Sequence, residues 1–203
     1  MVFAAPLLDG QGPAPGDCPI VQRLDGHLIG HARLLSNGIH MRTERLLFAP
    51  WTEADWLALK PIATHPEVMR YISDGQPWPD DRIQEFVGRQ MDGFRLRGYC
   101  LWQLLEASSG GMIGFCGLQP LEGTGEIEIG WWLARSHWGR GLATEAARTA
   151  LRDGFVRAGL ARVVAIAQPQ NRASVRVMEK LGMQHEKSMK HKGFDVVLYA
   201  IHR

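Results

Sequence analysis

The sequence is poor in several features that would have settled its class at once. Only three of its 203 residues are cysteine, Cys18, Cys100 and Cys116, widely spaced and without a C-x-x-C pair, which excludes a disulfide framework and a cysteine-built zinc site. No window approaches the ~18 consecutive apolar residues of a membrane-spanning helix. The stretch Met1–Gly10 carries no basic run ahead of its short apolar segment, so the expectation is a chain of the reducing cytoplasm, neither exported nor in a membrane. The eight histidines show no H-E-x-x-H or similar ligand spacing, and no metal is expected.

Net charge is nearly absent as well, at +2, but that figure averages unlike parts. Residues 1–40 carry −1, residues 41–134 carry −5 and residues 135–203 carry +8. A basic final third suits an anionic ligand and an acidic middle suits a cationic one, although solvated faces of opposite sign would give the same totals. Nucleic acid is not the expected anion, because no recognised binding module is present.

Residues 1–40 stand apart in composition, with 10 Gly or Pro and 5 charged residues. They read as a loosely ordered extension, and residues 41–203 as one domain of a size that can bury a proper core. Within it, Thr43–Pro50 reads as a strand, and Thr52 with Asp55 as a capping box opening a helix to about Ala63. Ile83, Phe86, Val87, Gln90, Met91 and Phe94 recur at helical spacing over about Asp80–Arg97. Tyr71–Pro79 between these helices is a turn-rich loop with two aromatics. Tyr99–Glu106 and Met112–Gln119 form a hairpin and Glu126–Leu133 a third strand. A helix follows over Gly141–Ala158, then a strand at Arg162–Gln168, a short helix at Asn171–Leu181 and a last hairpin. The order β-α-α-β-β-β-α-β-α-β-β describes a mixed α/β domain.

Trp131-Trp132-Leu133-Ala134-Arg135-Ser136-His137-Trp138-Gly139-Arg140-Gly141-Leu142-Ala143-Thr144-Glu145-Ala146 carries the chemistry. A strand ends, a turn with two glycines follows and a long helix begins at once. Such a turn can aim successive N–H groups at one point, and the helix start adds about half a positive charge, which together make an anion site. The glycines taken alone favour the plainer reading, a tight turn and nothing more.

The segment resembles the acetyl-CoA-binding motif of the GNAT superfamily of N-acetyltransferases, Q/R-x-x-G-x-G/A, with Trp138 at its departing first position. Glu128-Ile129-Gly130-Trp131-Trp132-Leu133, Trp138 to Ala146, Asn171-Arg172-Ala173-Ser174 and Glu179-Lys180-Leu181-Gly182-Met183 are similar to the branch containing ribosomal-protein N-terminal acetyltransferases. Arg42-Thr43-Glu44-Arg45-Leu46 is typical of its opening. The resemblance covers about residues 41–201. It implies a single mixed, mostly antiparallel sheet flanked by helices, acetyl-CoA as co-substrate, and an amine-bearing acceptor, either a protein N-terminus or a small molecule. Its pyrophosphate would sit on Trp138, Gly139, Arg140, Gly141, Leu142 and Ala143. Its pantetheine would pair with Trp132, Leu133 and Ala134, with Asn171 bonding either the pantetheine or the substrate backbone. Arg135 and Arg140 are supplementary candidates. Nothing in the sequence separates a monomer from a homodimer.

For the chemistry, Glu126 and Glu128 lie two apart on a strand and so share a face. Glu128 is the first candidate for base or amine-orienting group and Glu126 the second. Many enzymes of the family place a Tyr seven residues after the Asn; here that position is Met178, and Ser174 matches the serine that fills the role in the resembling branch. For Asn171 and Ser174, helix capping is the competing role. Tyr71, Trp78 and Trp131 are candidates to wall the acceptor pocket, with core packing as the alternative for each tryptophan. The alternatives to a protein N-terminal acceptor are a small polyamine or aminoglycoside, or a non-catalytic acyl-CoA-binding sensor.

Overall fold

The computed structural model describes residues 39–203, so Cys18 and the extension up to residue 38 lie outside the described residues. Ile39 and His40, grouped with the extension on composition, pack into the domain: Ile39 is buried, and the His40 ring stacks on Trp102 at 4.0 Å.

The elements in order are β1 (Met41–Arg42), β2 (Leu46–Ala49), α1 (Trp56–Ala63), α2 (Pro66–Met69), α3 (Asp80–Arg97), β3 (Leu101–Glu106), β4 (Met112–Leu121), β5 (Glu126–Leu133), α4 (Leu142–Val156), β6 (Arg162–Ala167), α5 (Arg172–Lys180), β7 (Gln184–His191) and β8 (Phe194–His202). The strand expected over Thr43–Pro50 is interrupted. Its first three residues are not strand: the Thr43 N–H donates to the Leu46 carbonyl and the Leu46 N–H to the Thr43 hydroxyl, both at 2.9 Å, closing the turn that folds β1 back on β2 as an antiparallel hairpin. The helix expected from Thr52 starts as a 3-10 turn at Glu53–Asp55, closed by the expected Thr52–Asp55 capping box. The short helix α2, four residues long, is too brief to show a period in the sequence.

All eight strands form one sheet in the order β1-β2-β3-β4-β5-β6-β8-β7. Every neighbouring pair is antiparallel except β5 and β6, so among the described residues the sheet is mixed and mostly antiparallel, flanked by five helices. The period of two sorts β4 and β5 onto opposite faces. Phe115 and Trp132 lie in an aromatic cluster with Phe86 of α3, Trp51 and Trp78, which defines the face of α1 and α3. Leu118 meets α4 on the other face, where a Cβ added to Gly154 would lie 2.4 Å from Leu118 Cδ1. That contact explains the narrow residues of α4, in which Ala146, Ala147, Ala150 and Gly154 are buried. No helix among the described residues is long and apolar enough to cross a membrane.

Candidate active site

The site is organised around β5. Its β4 edge is paired at all eight residues, whereas its β6 edge is paired once, Glu128 with Val164. Beyond that point the two parallel strands part. The Ala134 N–H donates to the Ile113 carbonyl at 2.8 Å, which fixes the alternation: even-numbered residues of β5 bond toward β4, and odd-numbered ones turn their backbone groups toward β6. Past Glu128 the ladder therefore gives Trp131 no strand partner on that side among the described residues. The Leu133 carbonyl is taken by the Trp138 indole N–H at 2.8 Å.

At the wide end of this cleft stands the glycine turn. Arg135–His137 forms a single 3-10 turn, Gly139 and Gly141 have φ of +74° and +76°, and Gly141 sits at the N-cap of α4 with no side chain capping the helix. The first N–H groups of a helix need partners from elsewhere, and here nothing among the described residues lies within 4 Å of where a Gly139 Cβ would be. An uncapped helix start behind an open, left-handed glycine turn fits a pyrophosphate.

The turn is braced from below. The Arg45 guanidinium donates to the Arg140 carbonyl at 2.9 Å and to Glu145 Oε2 at 2.7 Å, and the Thr43 hydroxyl also donates to Glu145. Burial would raise the Glu145 carboxyl, but the hydrogen bonds from Thr43 and Arg45 outweigh it and hold the group below its ordinary range. Arg135 pairs with Glu67 at 2.8 Å and stacks over Trp138 at 5.0 Å. Arg140 pairs with Glu106 at 3.1 Å. Both candidate phosphate contacts thus already hold carboxylates, and the hydrogen bonds from Arg135 and Arg140 depress Glu67 and Glu106 respectively.

At the narrow end, Glu128 and Glu126 share a face as expected but differ in company. Glu126 is ion-paired with Arg162 at 3.2 Å, which also binds Glu186 at 2.6 Å. Glu128 is partly buried and accepts one hydrogen bond, from Gln119 Nε2 at 2.7 Å. Burial pushes its carboxyl above the ordinary range, against the opposing pull of Gln119 and the more distant Lys192 charge. On α5, Asn171 is the N-cap, its Oδ1 accepting from the Ser174 N–H at 3.2 Å. The Ser174 hydroxyl has no hydrogen-bond partner among the described residues, which leaves it free to donate.

The aromatic candidates separate. Trp78 is 7% exposed and lies 4.7 Å from Trp132 on the face of α1 and α3, while Trp131 points to the α4 face. Tyr71 is partly buried under Arg70. Sequence reasoning missed Arg45, Glu145 and Gln119. Arg45 and Glu145 both stand in recognised blocks, but a contact spanning 100 residues leaves no periodic signal. A cavity of about 390 Å³ lies behind Arg135, lined by Pro61, Ile62, His65, Ala134, Arg135 and Ser136, at the far end of β5 from Glu128.

Comparison with known proteins agrees with this geometry. Residues 45–184 match the family model of the acetyltransferase (GNAT) domain. Over 148 residues, 73% of this chain and 84% of the relative, the sequence is 30% identical to the uncharacterized N-acetyltransferase YnaD of Bacillus subtilis (strain 168). The crystal structure of a GNAT-family acetyltransferase from Bacillus anthracis matches with a TM-score of 0.68 and 29% identity, over 80% of this chain and 97% of that one. The fold is also shared with RimL, the ribosomal L7/L12 alpha-N-protein acetyltransferase solved in complex with coenzyme A, at a TM-score of 0.69 and 19% identity, over 81% and 97% of the two chains.

Proposed function

The chain belongs to the GNAT family and is an acetyl-CoA-dependent N-acetyltransferase, and from that premise we propose that its acceptor is a protein N-terminal α-amine. The observation that carries the reading is the parting of β5 and β6 at Glu128 itself. The pyrophosphate lies on the N–H groups of Gly139–Ala143. The pantetheine runs along the free edge of β5 between Trp131 and Ala134, with Asn171 bonding the arm, and brings the thioester to the residue that receives the amine.

Only a neutral amine has the lone pair to attack a thioester. At pH 7 neutralising a lysine amine of pKa near 10.4 costs about 4.6 kcal/mol, whereas an α-amine near 7.8 costs about 1.1 kcal/mol. A single carboxylate working through water is enough for the second. Glu128, without an ion pair among the described residues and raised by burial, is that base; Glu126 is held in an ion pair by Arg162. The amine nitrogen adds to the acetyl carbonyl, its proton passes to Glu128, the C–S bond breaks, and the Ser174 hydroxyl hydrogen-bonds the departing sulfur. The alpha-N-protein activity in RimL's description supports an acceptor of this class.

A CoA-release assay over N-terminal peptides, free amino acids and aminoglycosides tests the acceptor. The highest kcat/KM is expected for a peptide. A higher value for an aminoglycoside would overturn the proposal, and acetyl-CoA binding without turnover on any amine would mark a sensor.

A further inference from the structure

The segment after α1 is tied to both strands of the cleft. The Glu67 carboxylate of α2 holds Arg135, which follows the end of β5, at 2.8 Å. Six residues later the Ser73 carbonyl accepts from the side-chain amide of Gln168, which follows the end of β6, at 3.3 Å. Between these fastenings Val68 and Met69 are buried in the core, 8% and 0% exposed. Ser73 takes a left-handed φ of +51°, a conformation that non-glycine residues resist and that here presents its carbonyl to Gln168. The same segment leads into Trp78, whose ring packs at a tilt against Trp132, so it lies on the face of α1 and α3.

Two parallel strands that part after a single pair leave a gap widest at their C-terminal ends, and those ends are the two points that this one segment joins. We propose that Glu67–Ser73 is a strap across the wide end of the β5–β6 cleft, fastened by Glu67–Arg135 and Ser73–Gln168, that closes the cleft on the face of α1 and α3 and confines the acceptor amine to the narrow end at Glu128. This rests on the cofactor reading above and deepens it. Water reaching the thioester would hydrolyse it, so closure protects the acetyl group, and the passage left beside Glu128 favours a slim, extended acceptor over a broad one. Glu67 and Gln168 are positioning residues. Their side chains lie at the surface, so the fastenings can be cut without emptying the core.

The test compares the unsubstituted protein with Gln168→Ala and Glu67→Ala/Gln168→Ala. The readouts are CoA release from acetyl-CoA without acceptor, kcat/KM for a Ser-Ala-Gly-Tyr peptide and for kanamycin, and the melting shift on adding acetyl-CoA. The double variant is expected to hydrolyse acetyl-CoA about fivefold faster and to shift the peptide-to-kanamycin ratio about fivefold toward kanamycin, with the melting shift preserved. A preserved melting shift with both other readouts unchanged would overturn the strap alone. No melting shift even in the unsubstituted protein would overturn the cofactor reading and the strap with it.

Discussion

The two edges of β5 are built on opposite plans. Toward β4 every residue from Glu126 to Leu133 is paired, and the fit is so close that a Cβ on Gly114 would lie 2.0 Å from the Trp132 carbonyl oxygen. Toward β6 there is one pair, and past it the strands separate. Glycine serves both edges for contrary reasons. At Gly114 its missing side chain lets two backbones touch; at Gly139 and Gly141 it lets the chain turn away and leave N–H groups open. Rigidity on one side is what permits an opening on the other, because a strand anchored along its length does not collapse into the gap beside it.

The largest expected effect comes from attacking the closed edge. Gly114 has φ of +150° and backbone within 2.0 Å of the added carbon, so Gly114→Ala has no flexible neighbour to displace and is expected to cost about 4 kcal/mol of stability, read by denaturant unfolding. A loss under about 1 kcal/mol would show that the β4 edge is not the rigid one.

A smaller effect comes from the point where the open edge begins. Glu128→Gln is expected to lower kcat about 10²-fold while the melting shift with acetyl-CoA persists; unchanged turnover would remove Glu128 from the mechanism. The pH dependence has a definite sign. The base must be ionised, and burial raises its pKa, so kcat/KM should fall as pH drops through a value above the ordinary carboxylate range, a limb that Glu128→Gln should lack. Stability runs the other way. A carboxyl whose pKa is raised by folding favours the folded state fully below its unfolded value, and that contribution is lost as pH rises through the folded one. At pH 7, then, Glu128→Gln should melt no lower than the unsubstituted protein.

The smallest effect is expected at the glycine turn. Gly141→Val must hold a valine at φ of +76°, a strain of roughly 1–2 kcal/mol, and should weaken acetyl-CoA binding about tenfold, measured by calorimetry. Unaltered affinity would show that the helix start does not carry the phosphates.

Most of this contrast was legible in the sequence. The strand–glycine turn–helix passage from Trp131 to Ala146 and the shared face of Glu126 and Glu128 follow from the period of two and from where glycine stands. What stayed hidden depends on distant pairing. That Glu128 meets Val164 and Val164 meets Ala200, that Arg162 pairs with Glu126, and that Arg45 reaches Glu145 are contacts between segments tens of residues apart. Local pattern was also misleading at the start of the expected first strand, where Thr43 closes a hairpin turn and the strand begins only at Leu46.

The single β5–β6 pair has a consequence for the choice of acyl group. A cofactor lying along the open edge is gripped through its amides and phosphates, which every acyl-CoA possesses alike. On the proposed placement of the cofactor, discrimination of acetyl from propionyl or longer chains would fall to the apex of the cleft, where Glu128, Gln119 and Val164 stand together, and enlarging the space there would be the route to an enzyme with a different acyl donor.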